Sequence, residues 1–322
     1  MSIPNESSDI VIQRVYDAPV SAVWDAWTDP AKVALWWGPR GFTLTHHSKD
    51  LRPGGHWRYT MHGPDGTDYP NVTTYHEVEV GARLVYDHGA TDDTPPVFRV
   101  TATFAEVAGK THLHLTMTLP TPDAAVQTRK FIKAAGGNAT WDRLGEFLEE
   151  DATGRQVFVI NREFAAPLET VFAMWTTPEH LARWLPPTGF RMEFIRADIR
   201  SGGESFYLMT NDATVTMYGR ARYLDVTRPE RVVYTQQFCD ANENVSRHPM
   251  APTWPETMHT TVTFAAEAPD RTRVTVRWDV VGEVTVDELA TFVGGRTGMT
   301  GGWTGSFDKL EAVLAAAGLD LE

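Results

Sequence analysis

Cysteine is nearly absent from this sequence. The single Cys239 cannot form a disulfide within the chain, and a chain without paired cysteines fits an intracellular compartment, where thiols stay reduced. Cys239 lies in "YTQQFCDAN", at the end of a predicted strand and without a recognisable partner for nucleophilic catalysis. We interpret it as a structural thiol.

Long apolar runs are also missing. No stretch approaches the roughly 18 apolar residues that a membrane-spanning helix requires. The opening segment, "MSIPNESSDIVIQRVYD", lacks the basic start and the unbroken apolar core of a secretory signal peptide. The sequence therefore predicts a cytoplasmic protein without membrane insertion.

Positive charge is scarce as well. The chain has 29 Lys and Arg residues against 42 Asp and Glu residues, which gives a formal net charge of −13. No run of basic residues interrupts this acidic excess. Because nucleic acids and anionic membrane surfaces are bound by clustered cations, the composition argues against both as partners.

What the sequence does contain is a long internal repeat. Residues 11–55 reappear at 159–203 with a constant offset of 148 residues and without a gap. Such a unit is far longer than the 20–50 residues of a solenoid repeat and has the size of a whole domain. The repeat predicts two tandem domains, 1–150 and 151–322. Identical pairs include Pro19/Pro167, Val23/Val171, Trp27/Trp175, Pro30/Pro178, Trp36/Trp184, Gly41/Gly189, Phe42/Phe190, Gly54/Gly202 and Gly55/Gly203.

Each copy shows the same order of elements. A strand rich in β-branched residues precedes a short helix whose apolar residues recur at i, i+3, i+4 and i+7. Pro30 and Pro178 open a second short helix, where the missing N–H of proline costs nothing. Strands in hairpin order and a C-terminal helix follow. The order β-α-α-β-β-β-β-β-β-α predicts an α+β fold, with a curved antiparallel sheet wrapped around the last helix.

Glycine clusters immediately before this last helix in both copies. The stretches are "AAGGNAT" in the first copy and "VGGRTGMTGGW" in the second. Glycine is a poor helix former, so we expect these stretches to weaken the start of the helix. The segment "GRTGMTGG" also lacks the lysine of a phosphate-binding loop, and we interpret it as a flexible hinge.

Five blocks of the first copy carry a resemblance to known proteins. They are Tyr16–Pro30, "LWWGPRGF" (35–42), "RPGGHWRYTMHGPDGTDYPN" (52–71), "ARLVYDH" (82–88) and "WDRLGEFL" (141–148). These blocks resemble the SRPBCC superfamily, which has the START-like or helix-grip fold. Within it, the chain is similar to the family named after the activator homologue of the heat shock protein 90 ATPase. The resemblance implies two tandem helix-grip domains, each with a hydrophobic cavity between the sheet and the long C-terminal helix.

Aromatic residues are the candidates for the walls of these cavities. They make up 11% of the chain, and several recur at matched places in the two copies. Aromatic walls with a few polar groups suit an apolar or aromatic ligand, although the same rings also serve to fill a core. The candidate ligand-binding residues are Trp36, Trp57, Tyr59, Tyr75, Trp141, Trp184, Tyr207, Tyr223, Trp278 and Trp303.

The two copies differ in their polar residues and in length. Glu204 stands where the first copy has His56, which makes it a candidate polar group for the second cavity. The pairs Asp50–Arg52 and Asp198–Arg200 are interpreted as exposed ion pairs that frame a hairpin, rather than as ligand contacts. The second copy alone carries "ANENVSRHPMAPTWPE" (241–256), which either caps its own cavity or packs on the other domain.

Histidine is concentrated in the first copy, which raises the question of a metal site. His112 and His114 are two residues apart on a predicted strand, a spacing that some zinc sites use. They alternate with Leu113, Leu115 and Met117, so we expect the histidines to face water. No third ligand and no Ser-His-Asp or Cys-His arrangement is recognisable. The sequence predicts no metal, no cofactor and no catalytic residue.

Three functions are compatible with these features. The first is non-catalytic binding of a small hydrophobic or aromatic molecule in one or both cavities. The second is a cyclase, aromatase or hydrolase type of reaction in the same cavity, which predicts a buried His, Glu or Arg with a strongly shifted pKa. The third, implied by the family name, is a chaperone partner and a role in the stress response. The eukaryotic activators carry a separate N-terminal domain, whereas this sequence begins directly at the first strand.

Overall fold

The computed structural model describes residues 7–134, 139–211 and 215–319. The chain divides between Thr153 and Gly154 into two compact units, which we term unit 1 and unit 2. The sequence analysis placed this boundary after residue 150. In the described parts of the chain, no helix is both long enough and apolar enough to cross a membrane.

Unit 1 begins with a strand and two short helices, continues with six strands and ends with two helices. Its elements are β1 Asp9–Tyr16, α1 Val20–Thr28, α2 Pro30–Trp36, β2 Thr43–Lys49, β3 His56–His62, β4 Asp68–Glu79, β5 Arg83–Gly89, β6 Phe98–Val107, β7 Lys110–Thr118, α3 Pro122–Ala134 and α4 Ala139–Thr153.

Unit 2 repeats this order. Its elements are β8 Val157–Phe164, α5 Leu168–Thr176, α6 Pro178–Trp184, β9 Arg191–Ala197, β10 Glu204–Thr210, β11 Thr216–Thr227, β12 Arg231–Cys239, β13 Met258–Ala268, β14 Arg271–Val280, α7 Val286–Gly294 and α8 Arg296–Leu319.

The strands that the structure describes form one antiparallel seven-stranded sheet in each unit. The order is β1-β7-β6-β5-β4-β3-β2 in unit 1 and β8-β14-β13-β12-β11-β10-β9 in unit 2, so each first strand pairs with the last one. Ile12 lies opposite Leu115, and Ile160 lies opposite Val276. All four side chains are buried, because alternate residues of a strand face the core. The predicted α+β fold of two tandem helix-grip domains is confirmed.

The repeated tryptophans Trp36 and Trp184 fix the second short helix of each unit against the first. The indole N–H of Trp36 donates to the carbonyl of Ala26 at 3.0 Å. That of Trp184 donates to the carbonyl of Met174 at 2.9 Å. Both rings are completely enclosed, with 1% and 0% of their surface exposed. A buried indole needs a partner for its N–H, and the backbone supplies it at the same place in both copies.

The repeated Gly-Gly pairs have a steric cause. Gly54 and Gly202 adopt φ of +78° and +79°, a conformation that favours glycine. At the following glycines, a Cβ atom would lie 2.1 Å from a backbone oxygen, that of Asp50 for Gly55 and that of Asp198 for Gly203. No side chain fits there. The turn that leads into β3 and β10 therefore requires both glycines in each copy.

The helices before the C-terminal one depart from the sequence prediction. Each unit has an additional helix, α3 or α7, that the predicted order lacks. In the second copy, the prediction of a flexible hinge at "GRTGMTGG" was wrong from residue 296 onward. Helix α8 starts at Arg296 and runs through these glycines. The corresponding stretch of the first copy lies partly outside the described residues. Buried Trp303, Phe307 and Leu310 anchor α8 in the core of unit 2, and this packing outweighs the low helix propensity of glycine.

Candidate functional site

Unit 2 contains a cavity of about 250 Å³ between the inner face of its sheet and α8. Strands β10 to β14 supply one wall, and α8 supplies the other. The loop after α6 and the segment 241–256 complete the enclosure. The lining residues are Leu185, Pro187, Tyr207, Met209, Met217, Tyr218, Gly219, Tyr234, Gln236, Gln237, Phe238, His248, Trp254, Pro255, Glu256, Met258, Trp278, Met299, Gly302, Trp303 and Ser306.

Unit 1 has a cavity of about 190 Å³ at the equivalent place. The equivalence follows from the repeat and from the strand register. Met117 lies opposite Ile10 in unit 1, and Trp278 lies opposite Phe158 in unit 2. Ile10 and Phe158 are related by the repeat offset of 148 residues, so Met117 and Trp278 occupy equivalent positions. The lining residues of this cavity are Ile12, Trp37, Gly38, Pro39, Tyr59, Met61, Tyr86, His88, Phe98, Val100, Leu115, Met117, Phe131, Ile132, Thr140 and Trp141.

The structure divides the ten candidate residues into two groups. Tyr59 and Trp141 line the cavity of unit 1, while Tyr207, Trp278 and Trp303 line that of unit 2. Tyr207 also borders a side cavity of about 30 Å³, which a sixth candidate, Tyr223, lines as well. Whether any of these rings contacts a ligand stays a prediction.

The remaining four candidates lie in the hydrophobic cores and do not line these cavities. They are Trp36, Trp57, Tyr75 and Trp184. Each has at most 2% of its surface exposed. Trp57 stacks on Tyr59 with ring centres 4.0 Å apart, so it supports a lining residue from behind.

The segment 241–256 caps the cavity of its own unit, which is one of the two alternatives that the sequence left open. His248, Trp254 and Glu256 from this segment line the cavity. Helix α7 holds the segment in place. Arg247 forms an ion pair with Glu288 at 2.5 Å. In addition, Thr253 and Thr291 share a hydrogen bond of 2.8 Å, and the ring of Trp254 packs on Phe292.

Smaller side chains make the cavity of unit 2 the wider one. Trp37 of unit 1 lines its cavity and donates its indole N–H to the hydroxyl of Tyr59 at 3.1 Å. The repeat places Leu185 at the position of Trp37 and Ser205 at that of Trp57. Replacing two indoles by a leucine and a serine removes much of the volume that holds Tyr59 in place.

Unit 2 lacks the indoles that pack beside Tyr59, and the ring of Tyr207 lies over Gly219 of the neighbouring strand. Gly219 is directly opposite Tyr207 in the β10–β11 pair, and a Cβ atom at this glycine would lie 2.6 Å from the phenol ring. The first copy has Asn71 at this position, where its side chain is buried and donates to the carbonyl of Tyr69. Gly219 is therefore needed for the position of the Tyr207 ring at the cavity wall.

Two phenols and the histidine of the unit 2 cavity favour their uncharged forms. Burial raises the pKa of the Tyr207 and Tyr234 hydroxyls, and burial lowers the pKa of His248, because the low-dielectric surroundings disfavour the charged form in each case. Among the lining residues there is no Lys or Arg, and the one carboxylate, Glu256, is exposed to solvent.

The unit 1 cavity contains a histidine where unit 2 has Gln236. The ring of His88 stacks on Phe98 with centres 4.7 Å apart. Burial lowers the pKa of His88 to about 4, so the imidazole is neutral at physiological pH. The two cavities thus offer different hydrogen-bonding groups at matched positions.

Other residues considered from the sequence lie away from both cavities. Glu204 forms an exposed ion pair with Arg222 at 2.8 Å, and His56 bonds to Thr74. The suggestion that this difference supplies a polar group to the second cavity was therefore wrong. The pairs Asp50–Arg52 and Asp198–Arg200 are exposed, each at 2.9 Å.

The thiol and the strand histidines behave as the sequence predicted. Cys239 is buried, and burial raises the pKa of its thiol, which keeps it unreactive. His112 and His114 face solvent. The described residues contain no group of three His, Cys, Asp or Glu side chains placed to hold a metal ion.

Sequence reasoning missed several lining residues. Met209, Gln236 and Met258 have no aromatic or charged character that draws attention. A signal was nevertheless present, since Gln236 and Met209 follow Tyr234 and Tyr207 by two residues and so share the same strand face.

Comparison with protein families connects this architecture to known proteins. The family described as "Activator of Hsp90 ATPase homolog 1-like protein" matches residues 17–149 and 165–315, which is most of both units. The chain belongs to this family. A search of curated proteins found no match.

Solved structures similar to this chain include several bacterial proteins and one two-domain protein. A Chromobacterium violaceum protein is 25% identical, with 49% of this chain and 96% of that one covered and a TM-score of 0.39. An Arthrobacter aurescens protein is 24% identical, with coverages of 50% and 86% and a TM-score of 0.43. The di-domain ARO/CYC protein BexL from the BE-7585A biosynthetic pathway is 14% identical, with coverages of 95% and 98% and a TM-score of 0.39.

Proposed function

We propose that this protein binds a small hydrophobic or aromatic molecule in the cavity of unit 2, without catalysing a reaction on it. The observation that carries the proposal is a partly open hollow of about 250 Å³ whose walls are mainly aromatic rings and methionines. Small-molecule sites are typically apolar hollows with a few polar groups. For comparison, an apolar cavity of about 150 Å³ holds one benzene ring, so this one accommodates a molecule of one or two rings.

Four methionines favour a ligand site over a rigid core. They line the cavity together with the indoles of Trp254 and Trp303, and they are Met209, Met217, Met258 and Met299. Methionine side chains are flexible and polarisable, and they adapt to the shape of a bound molecule. This combination is suited to a flat, polarisable guest.

The titratable groups favour binding over acid–base chemistry. General acid–base catalysis is most efficient when the pKa of the group lies near the working pH. The pKa of His88 in unit 1 is lowered by burial to about 4, and burial raises the pKa of Tyr207 and Tyr234 in unit 2. These groups are suited to hydrogen bonding in their neutral forms.

A thermal-shift screen of the full chain tests the proposal. The panel contains fatty acids, polyketides and aromatic metabolites. At a hundredfold excess over its Kd, a ligand adds about 2.7 kcal/mol to the stability of the unit that binds it, which corresponds to a rise in Tm of roughly 5–10 °C. Absence of stabilisation by every compound would contradict the proposal.

A glycine pair on α8 supplies a matched control for the location of the site. Gly302 lines the cavity, whereas Gly298, four residues earlier on the same helix, does not. Both are exposed, and a Cβ atom at either would meet nothing within 4 Å. Replacing either by Leu favours the helix by about 0.5–1 kcal/mol. We expect Gly302→Leu to weaken ligand binding and Gly298→Leu to leave it unchanged. Equal affinities of the two variants would place the ligand elsewhere.

A further inference from the structure

His248 presents a hydrogen-bond donor at the cavity of unit 2. The backbone N–H of Met250 donates to Nδ1 of this histidine at 3.0 Å. Nδ1 must therefore carry its lone pair, and in the neutral ring the proton is on Nε2. The ring is held edge-on against Phe238, with centres 4.7 Å apart. Within the described residues, Nε2 has no hydrogen-bond partner.

Two more side chains bring unused hydrogen-bonding capacity to the same walls. The indole N–H of Trp278 is buried and has no partner in the described parts of the chain. Gln236 borders both the main cavity and the small side cavity, and its amide makes no hydrogen bond to another described residue. Buried polar groups are nearly always paired in proteins, so the buried N–H of Trp278 indicates a guest with an acceptor atom, and the half-buried Gln236 can add a second polar contact.

The charges around the cavity decide what kind of polar guest fits. Three cationic side chains near the lining residues are bound to other groups. Arg220 donates to Oε1 of Gln237, Arg247 pairs with Glu288, and Lys309 donates to the carbonyl of Pro186. None of them lines the cavity, whereas the carboxylate of Glu256 does. A carboxylate guest would lose its hydration without gaining a cation, and it would meet a like charge.

We propose that the unit 2 cavity selects neutral aromatic molecules that carry an oxygen acceptor, such as aryl ketones, and rejects carboxylates. This inference deepens the proposed function and rests on it. His248 and Trp278 donate to the oxygen of the guest, Gln236 provides a second donor or acceptor, and the rings and methionines enclose the aromatic part. Ligands of the fatty-acid type are excluded by the absence of a lining cation.

Three probes of similar size and shape test the inference on the full chain. They are 2-acetylnaphthalene, which is neutral and has a carbonyl acceptor, 2-ethylnaphthalene, which has none, and 2-naphthoate, which is anionic. Affinities are measured by isothermal titration calorimetry. We expect the ketone to bind about tenfold tighter than the hydrocarbon, the worth of one well-formed hydrogen bond, and the carboxylate to bind weakest.

Variants assign the preference to its donors. His248→Phe and Trp278→Phe each keep an aromatic ring and remove one N–H. Either variant is expected to reduce the preference for the ketone over the hydrocarbon to about threefold or less, with little change for the hydrocarbon itself. His180→Phe, which removes a histidine N–H from α6 outside the cavity lining, serves as the control and keeps the tenfold preference.

The outcomes separate this inference from the proposed function. If ketone and hydrocarbon bind equally, if the carboxylate binds tightest, or if neither Phe variant changes the preference, the selectivity is refuted while ligand binding stands. If none of the three probes binds, the selectivity is refuted, and the thermal-shift panel decides separately whether the proposed function stands. A preference that falls in the donor variants and persists in the control supports both.

Discussion

The contact between Gly219 and Tyr207 is the most sharply testable feature of the cavity wall. In Gly219→Ala, the new methyl group would lie 2.6 Å from the ring carbon and hydroxyl of Tyr207, whereas apolar contacts settle at about 3.5–4.0 Å. The ring must therefore move by roughly 1 Å. The open side is the cavity that Tyr207 already lines, so the displaced ring reduces the space for a ligand.

The expected size of the effect follows from two opposing contributions. Overpacking a well-fitted site costs about 1–3 kcal/mol. Replacing glycine by alanine in a strand returns about 0.5–1 kcal/mol, since the unfolded chain loses freedom. We expect unit 2 to be destabilised by about 1–2 kcal/mol, and the affinity for the ligand to fall in the same variant.

A double-mutant cycle shows whether the ring is the cause. Gly219→Ala is introduced into the wild-type chain and into Tyr207→Leu, and urea unfolding of unit 2 is followed by tryptophan fluorescence. Without the ring the clash disappears, so the alanine should become neutral or stabilising, with a coupling of about 1–3 kcal/mol between the two sites. If Gly219→Ala costs the same in both backgrounds within about 0.5 kcal/mol, the steric explanation is refuted.

Three further predictions concern the supports of the two units. Arg247→Ala removes one of the three contacts that hold the 241–256 segment on α7, and calorimetry should show ligand affinity reduced by roughly threefold, whereas an unchanged affinity would mean that the ion pair is not needed for the cap. Thr285→Ala removes the capping box of α7, in which Thr285 and Glu288 bond reciprocally, and urea unfolding should report a loss of about 1 kcal/mol. Lys49 contacts the ring of Trp57, and burial lowers its pKa to about 7. Because the unfolded state holds this proton up to about pH 10.4, stability of unit 1 should rise with pH between about 7 and 10, and Lys49→Met should flatten that rise.

The repeat in the sequence was sufficient to predict two copies of one fold, for a physical reason. Residues such as Trp36 and Gly55 occupy positions where geometry permits little else: a buried indole bonded to a backbone carbonyl, and a backbone contact that leaves no room for a Cβ atom. The alternation of apolar and polar residues along the strands also predicted which face of each strand is buried. The helical state of residues 296–302 was not predictable from propensity, because packing of Trp303 and Phe307 decides it.

The cavity was harder to predict than the fold, because periodicity identifies a strand face and not a position along it. On β3, Trp57 and Tyr59 share one face, yet only Tyr59 lines the cavity. On β7, Leu113 lies in the core and Met117 lines the cavity. On these two strands, the core residue and the lining residue share a face and lie two and four residues apart. A sequence alone does not show where along the strand the packing of helices stops.

The two copies share part of their cavity lining and differ in the rest, and the differences bear on function. Tyr59 and Met61 line the cavity of unit 1 as Tyr207 and Met209 line that of unit 2. The lining differs in polarity at His88 and Gln236, and in size at Trp37 and Leu185. Had the hollows been only packing defects, drift between the copies would tend to fill them, since an empty cavity destabilises by about 24 cal/mol per Å³. The wider hollow is instead the one in which a leucine replaces the indole of Trp37 and the segment 241–256 adds to the lining. An empty hollow lowers stability, which is understandable if a guest restores it.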